Sequence, residues 1–256
     1  MRNRVISLMK KIIFIIIFTA INVSYAPAQE RTVENRPYTD LRTFHFGVLV
    51  GTHLQDVEFV NRGISVVTNE DGSTTEKMVT CDQDRWDAGF TVGVLGELRL
   101  DKHLALRIAP TMYFGTRHIT FHNLTDKLGD GNPVELQQEM KSVYISTAFN
   151  LIYAAQRFNN HRPYVMAGIN PMLNLSGKQE DIIRAKKYDC MLEIGIGCDF
   201  YLPFFKLRPE LKFGYSLMNA LDGNHANELK DKNMLIYTNS VSKAQTKLIG
   251  LTLYFE

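Results

Sequence analysis

From Thr43 onward, apolar and polar residues alternate with a period of two, the pattern of strands whose two faces meet different surroundings. In FHFGVLVGTHL, Phe44, Phe46, Val48, Val50 and Leu54 share one parity. His45, Gly47, Gly51 and His53 fall on the other, with Leu49 the exception. Phe90, Val92, Val94, Leu98 and Leu100 alternate with Gly89, Thr91, Gly93, Glu97 and Arg99. LALRIAPTMYF sets Leu104, Leu106, Ile108, Met112 and Phe114 against Arg107, Ala109, Thr111 and Tyr113. SVYISTAFNLIY, PYVMAGINPMLNL, CMLEIGIGCDFYL, LRPELKFGYSL and KLIGLTLYFE repeat the theme. That makes eight strands.

Many of these strands exceed the usual 5–6 residues of soluble sheets and match the 9–11 needed to cross a bilayer with tilt. Their connections alternate in length. Short links fall at Asp101–His103, Gln156–His161 and Pro203–Lys206, and longer ones over 61–85, 122–140, 176–187 and 222–240. Aromatics gather near the expected rims: Phe44, Tyr153, Tyr201, Phe204, Phe205, Tyr254 and Phe255 at the short turns, Phe59, Trp86 and Phe90 at the other end. The reading is all-β: an eight-stranded antiparallel transmembrane β-barrel over 43–256, with a filled lumen, short periplasmic turns and long extracellular loops. A soluble lipocalin-type barrel is the competing architecture and would turn the large side chains inward.

The polar parity carries Glu97, Arg99, Arg107, Glu193, Asp199, Arg208, Glu210 and Lys212. In an eight-stranded barrel, side chains just fill the interior. These charges therefore read as a salt-bridge network plugging the lumen, and a narrow ion path is the sharper alternative.

The chain is 45% apolar and 22% charged over 256 residues, ample for a packed domain. Only its N-terminus is continuously apolar. Arg2, Arg4, Lys10 and Lys11, then Ile12–Ile21, then Ala26-Pro27-Ala28 form the three parts of a secretory signal peptide over residues 1–28. Cleavage is expected before Gln29, since an apolar core this short falls well below the ~20 residues of an anchor helix. Without the leader, 25 basic residues face 27 acidic ones, a net charge of −2. No basic stripe remains to argue for a nucleic-acid partner. Of the cysteines, Cys190 and Cys198 lie too far apart on one strand to bond, whereas a Cys81–Cys190 disulfide is permitted.

No catalytic, cofactor-binding or metal-binding residue is assigned, and no GxSxG, HExxH or Walker loop occurs. The best-placed residues for a hydrolase are His118 and His122, with Asp126 or Asp130 nearby, but nothing pins a nucleophile beside them. The polar 61–85 connection reads as a ribbon rising above the membrane with a turn at Asp71-Gly72. Pro133–Met140 and Ala226–Met234 each leave room for a helical turn. Residues 29–42 form a charged periplasmic segment, read as an untethered tail or, alternatively, as a docking segment for a periplasmic partner.

Several stretches together resemble the PorT family of outer-membrane barrels, linked to type IX protein secretion. They are RPYTDLRTFHFGVLVGTHLQDVEF (Arg36–Phe59), GFTVGVLGELRL (Gly89–Leu100), NHRPYVMAG (Asn160–Gly168), EIGIGCDFYLPFFKLRPELKFGYSL (Glu193–Leu217) and KAQTKLIGLTLYFE. The resemblance implies a protein of the cell outer membrane needed for export and surface attachment of cargo bearing C-terminal sorting domains. It implies an accessory or docking part rather than a pore, and transfers no catalytic or ligand residue. Expected partners are outer-membrane lipid and lipopolysaccharide, other type IX secretion components, and the barrel-assembly machinery during biogenesis. A structural or adhesive barrel unrelated to secretion is the alternative.

Overall fold

The computed structural model describes residues 33–68, 74–127, 133–176, 181–223, 225 and 234–256. The expected signal peptide and the Asp71-Gly72 turn lie outside them. The chain forms ten strands: β1 (Phe44–Asn61), β2 (Ile64–Thr68), β3 (Thr74–Asp82), β4 (Asp87–Arg99), β5 (Leu104–Lys127), β6 (Pro133–Ala154), β7 (His161–Asn174), β8 (Tyr188–Tyr201), β9 (Lys206–Ser216) and β10 (Val241–Phe255). The sheet order is β2-β3-β5-β4-β1-β10-β9-β8-β7-β6, and β6 pairs back onto β5. Eight strands therefore close an antiparallel ring, and β2 and β3 form a hairpin whose β3 pairs with the upper part of β5. Ring closure leaves no edge in the wall, the condition for a sheet to span a bilayer.

The two parities separate cleanly. Val50, Val94, Ile108, Phe149, Val165, Ile194 and Leu251 are exposed, whereas Thr91, Arg107, Asn150, Glu193, Glu210 and Thr252 are buried. Apolar side chains face outward and polar ones line the lumen, which excludes the lipocalin-type arrangement. Leu49 points inward as its parity requires and packs with Leu95, Ala109, Ala148 and Tyr254. Along β5 the outward residues are apolar from Leu104 to Phe114. At ~3.4 Å per residue and a ~40° tilt, that band is roughly 25 Å tall, the height of an outer-membrane apolar belt.

Above the belt the pattern inverts without a break in the strands. Outward positions become Asp56, Glu58, Thr116, His118, Glu139, Lys141 and Lys247. Inward positions become Val57, Ile119, Phe121, Met140 and Ala244, which join Val79, Cys81, Ile183, Leu221 and Val241 in one apolar cluster. A one-turn helix, α1 (Leu235–Thr238), covers it: Tyr237 meets Phe121 edge-on at 5.7 Å, and the Thr238 hydroxyl donates to the Ile182 carbonyl at 2.7 Å. The molecule is thus inside-out in the belt and ordinary above it.

Several expectations are corrected. Pro133–Met140 is not a helical turn but the start of β6, paired with β5 through Phe121↔Leu136 and His118↔Glu139. Its Glu and Gln residues suggest helix, yet their alternation with inward Leu136 and Met140 lets β5 template a strand. The 122–140 link is accordingly mostly strand. Of Ala226–Met234, residues 226–233 lie outside the described set, and Met234 precedes α1. Tyr201 and Tyr254 are buried rather than in a rim girdle, and Phe59 packs against the apolar cap. All three cysteines are free thiols, so the permitted Cys81–Cys190 bond is not formed. The 61–85 ribbon is present as β2–β3. Because β4 stops at Asp87, β3 takes its seat beside β1, where the Asn61 amide donates to and accepts from the Cys81 backbone at 3.2 and 2.9 Å.

Burial pushes the Cys81 thiol well above its usual range, with Asp82 and Asp84 adding to the shift. We expect Cys81 to resist maleimide in the folded protein at both pH 7 and pH 9, and to label on unfolding. A charge on the belt should be costly: Ile194→Arg is expected to destabilise by about 2–4 kcal/mol and Thr116→Arg by no more than about 1 kcal/mol. Urea titration of folding into lipid vesicles measures both.

Candidate functional site

The lumen gathers buried charge from β4, β5, β8 and β9, which position Glu97, Arg107, Glu193, Asp199, Lys206, Arg208, Glu210 and Lys212 by presenting every second residue inward. At its heart is Arg208, whose Nε donates to Asp199 Oδ1 at 2.6 Å and whose Nη1 donates to Glu97 Oε2 at 2.7 Å and Glu256 Oε2 at 3.3 Å. Lys206 pairs with Glu256 at 2.8 Å, and His45 contacts the same carboxylate. Arg107 links this layer to the next, bonding Glu97 at 3.3 Å and Glu210 at 2.6 Å. Tyr164 and Tyr254 both donate to Glu210, at 2.8 and 2.9 Å, and the Arg107 guanidinium lies 4.3 Å from the Tyr254 ring centre. Gly197 makes this possible, because a Cβ there would run into the Tyr164 ring.

Further up, the Asn170 amide donates to Glu193 at 2.7 Å, while Asn170 Oδ1, Glu193 Oε2 and both amide atoms of Asn150 have no hydrogen-bond partner among the described residues. Above them, Gln55 accepts from Arg117 at 3.2 Å and Ser142 at 3.0 Å, directly beneath the apolar cap. Two voids along this path measure about 20 and 10 Å³. Each has room for about one water, so the lumen is plugged and gives no support to an ion path.

The sequence-derived inward set is brought together, with one displacement: Arg99 sits at the mouth, donating to the Asp40 carbonyl at 2.8 Å. Lys206, Glu256 and His45 were not singled out as charges of this network. His45 already stands on the inward parity of its strand but was not read as a charge, whereas Lys206 and Glu256 lie at strand ends where alternation is too short to read.

The short-turn mouth is closed by the segment before β1, which is not an untethered tail over its described part. Asp40 accepts from the Tyr201 hydroxyl at 2.6 Å and lies 3.5 Å from Arg162 and 3.8 Å from Arg157. Arg157 stacks on the Tyr201 ring at 3.7 Å and donates to the Asn35 carbonyl at 2.5 Å. Arg36 bonds the Glu256 carbonyl at 3.0 Å.

Among the described residues, the His118 and His122 rings face carboxylates. His118 Nδ1 lies 2.8 Å from Asp87 Oδ1, and Asp87 Oδ2 accepts the His118 backbone N–H at 2.7 Å. The other ring nitrogen faces Glu139 at 3.7 Å rather than a hydroxyl. His122 faces Glu135 at 3.3 Å and Asp84 at 3.8 Å. Asp126 instead pairs with Lys77 at 2.7 Å and Asn123 at 2.8 Å, and Asp130 lies outside the described residues. This arrangement pins the 83–87 turn to β5. Among the described residues, no cluster of His, Cys, Asp and Glu could hold a metal ion. An apolar trough of about 690 Å³, with Val165, Ile196, Cys198 and Leu211 in its lining, lies on the outer wall within the belt and faces acyl chains.

Residues 28–222 match the family described as "Outer membrane protein beta-barrel domain". No curated protein matches the chain. Among solved structures it is similar to Neisserial surface protein A, at 11% identity and a TM-score of 0.40 over 83% of this chain and 98% of that one. It is also similar to the outer membrane protein OprG from Pseudomonas aeruginosa, at 12% identity and 0.43 over 82% and 91%.

Breaking the network from one side should cost more than removing a pair. Arg107→Met is expected to destabilise by about 3–5 kcal/mol, and adding Glu210→Gln should recover part of that loss. Urea midpoints of the refolded barrels in lipid vesicles check both values.

Proposed function

The chain belongs to the outer membrane protein beta-barrel domain family, and from that premise we propose that it is an accessory, docking component of type IX secretion. The observation that carries the accessory part of this reading is the plugged lumen. A path whose voids measure about 20 and 10 Å³ passes neither a polypeptide nor a hydrated solute. A barrel of this kind works through its rims and loops.

The link to secretion rests on the resemblance of Arg36–Phe59, Glu193–Leu217 and the C-terminal strand to the PorT family. On this reading the barrel meets other secretion components and serves cargo bearing C-terminal sorting domains, which include secreted proteases and gliding adhesins. Its wall meets outer-membrane lipid and lipopolysaccharide, and the barrel-assembly machinery inserts it. The short turns face the periplasm and the long-loop end faces outward.

Deletion of the gene with complementation in trans tests the proposal. The expected result is sorting-domain cargo stranded unprocessed in the periplasm, with other barrels assembled normally. Cargo reaching the surface and medium as in the parent would leave a structural or adhesive barrel and remove the secretion reading.

A further inference from the structure

One rung of the wall runs Arg107↔Asn150↔Gly168↔Glu193↔Gly214 from β5 to β9. Its outward neighbours Leu151, Ile169 and Ile194 are exposed apolar side chains, so the rung lies within the belt. On the lumen side Arg107 and Asn150 are 0% exposed and Glu193 1%. Yet Arg107 Nη2, both amide atoms of Asn150, Asn170 Oδ1 and Glu193 Oε2 have no hydrogen-bond partner among the described residues. Buried polar atoms in native proteins are nearly all paired, with protein or with ordered water.

The charges show the same gap. Lys212 is buried beside this rung, and the carboxylates whose fields reach its ammonium are Glu193 and Glu210. Glu210 is taken up by Arg107, Tyr164 and Tyr254. Lys212 bonds the Tyr254 hydroxyl at 3.5 Å, and no ion pair joins it to Glu193. Opposite charges attract far more strongly in a low-dielectric interior than in water. Two that stay apart there have something between them.

Glycine supplies the space. Gly214 faces inward next to Glu193, and a Cβ built there would meet Met191 Sδ at 3.6 Å, Leu248 Cβ at 3.7 Å and Glu193 Cγ at 3.9 Å, all ordinary contacts. The wall thus leaves room for a methyl group, about the size of one water. An apolar layer of Tyr113, Tyr144, Met172, Met191 and Leu248 lies above, and Tyr164 and Tyr254 lie below.

We propose that this chamber is a water-binding site, in which an ordered water beside Gly214 bridges the Lys212 ammonium and Glu193 Oε2 while Asn150 and Asn170 complete its bonds. The set of unpaired groups selects the ligand. Arg107, Lys212 and Asn150 Nδ2 offer hydrogens, and Glu193 Oε2, Asn150 Oδ1 and Asn170 Oδ1 accept them. A cation would face the first group and an anion the second, whereas water donates to one and accepts from the other. The inference goes beyond the secretion reading and holds for an adhesive barrel equally.

The test is solid-state NMR of the protein in lipid vesicles, following magnetisation transfer from water to assigned side chains. Transfer is expected to the Asn150 and Asn170 amides and not to the Met172 and Leu248 methyls of the apolar layer. Gly214→Ala fills the space and should abolish the transfer to Asn170, whereas Leu251→Ala on the lipid face should leave it unchanged. Heat-modified gel mobility confirms that both variants are folded. Absence of transfer to both amides, or transfer unchanged by Gly214→Ala, would overturn the proposal. Amide shifts that titrate with added sodium or bromide would place an ion in the chamber and overturn it as well.

Discussion

No water reaches the interior of a bilayer to satisfy a peptide N–H or C=O, and everything in this molecule follows from that absence. Eight strands must spend all their backbone groups on one another, so the sheet has to close. Closure forces alternate residues inward, and a ring of this size leaves an interior only as wide as the side chains that fill it. Charge then has a single place to go, and it survives there because Arg107, Arg208, Glu97 and Glu210 share hydrogen bonds as well as opposite sign.

The same rule stops applying a few residues higher. Once β1, β5, β6 and β10 leave the hydrocarbon, water returns outside, and the ordinary preference for a dry interior takes over. The strands continue, but Val57, Ile119, Phe121 and Met140 now point inward while Glu58, His118 and Glu139 point out. One continuous wall therefore carries two opposite hydrophobic orders, and the boundary between them fixes the depth at which the barrel sits.

Period-two alternation made the eight ring strands, their facing and the filled lumen legible in the sequence, because a membrane wall makes both faces chemically distinct over ten or more residues. The inversion above the belt was not read, since it appears as a slip of apolar residues from even to odd positions in β5, between Phe114 and Ile119, with no turn residue to mark it. Pro133–Met140 looked helical from composition; only its pairing with β5 makes it a strand. The role of residues 34–42 was hidden because their partners, Arg157, Arg162 and Tyr201, lie more than a hundred residues away in sequence. The charges at strand ends, Lys206 and Glu256, were missed for want of neighbours to establish a parity.

That docked segment also sets where mechanical load would fall. A pull on the chain upstream of Glu34 meets Asn35, Arg36 and Asp40 before it reaches β1, and these residues are lashed to the turn after β6, the end of β8 and the backbone of Glu256. The load is thus shared among several strands as shear at the mouth, instead of concentrating at Phe44 and peeling β1 from β10 one hydrogen bond at a time. A barrel anchored this way can be tugged from the short-turn side without opening its seam.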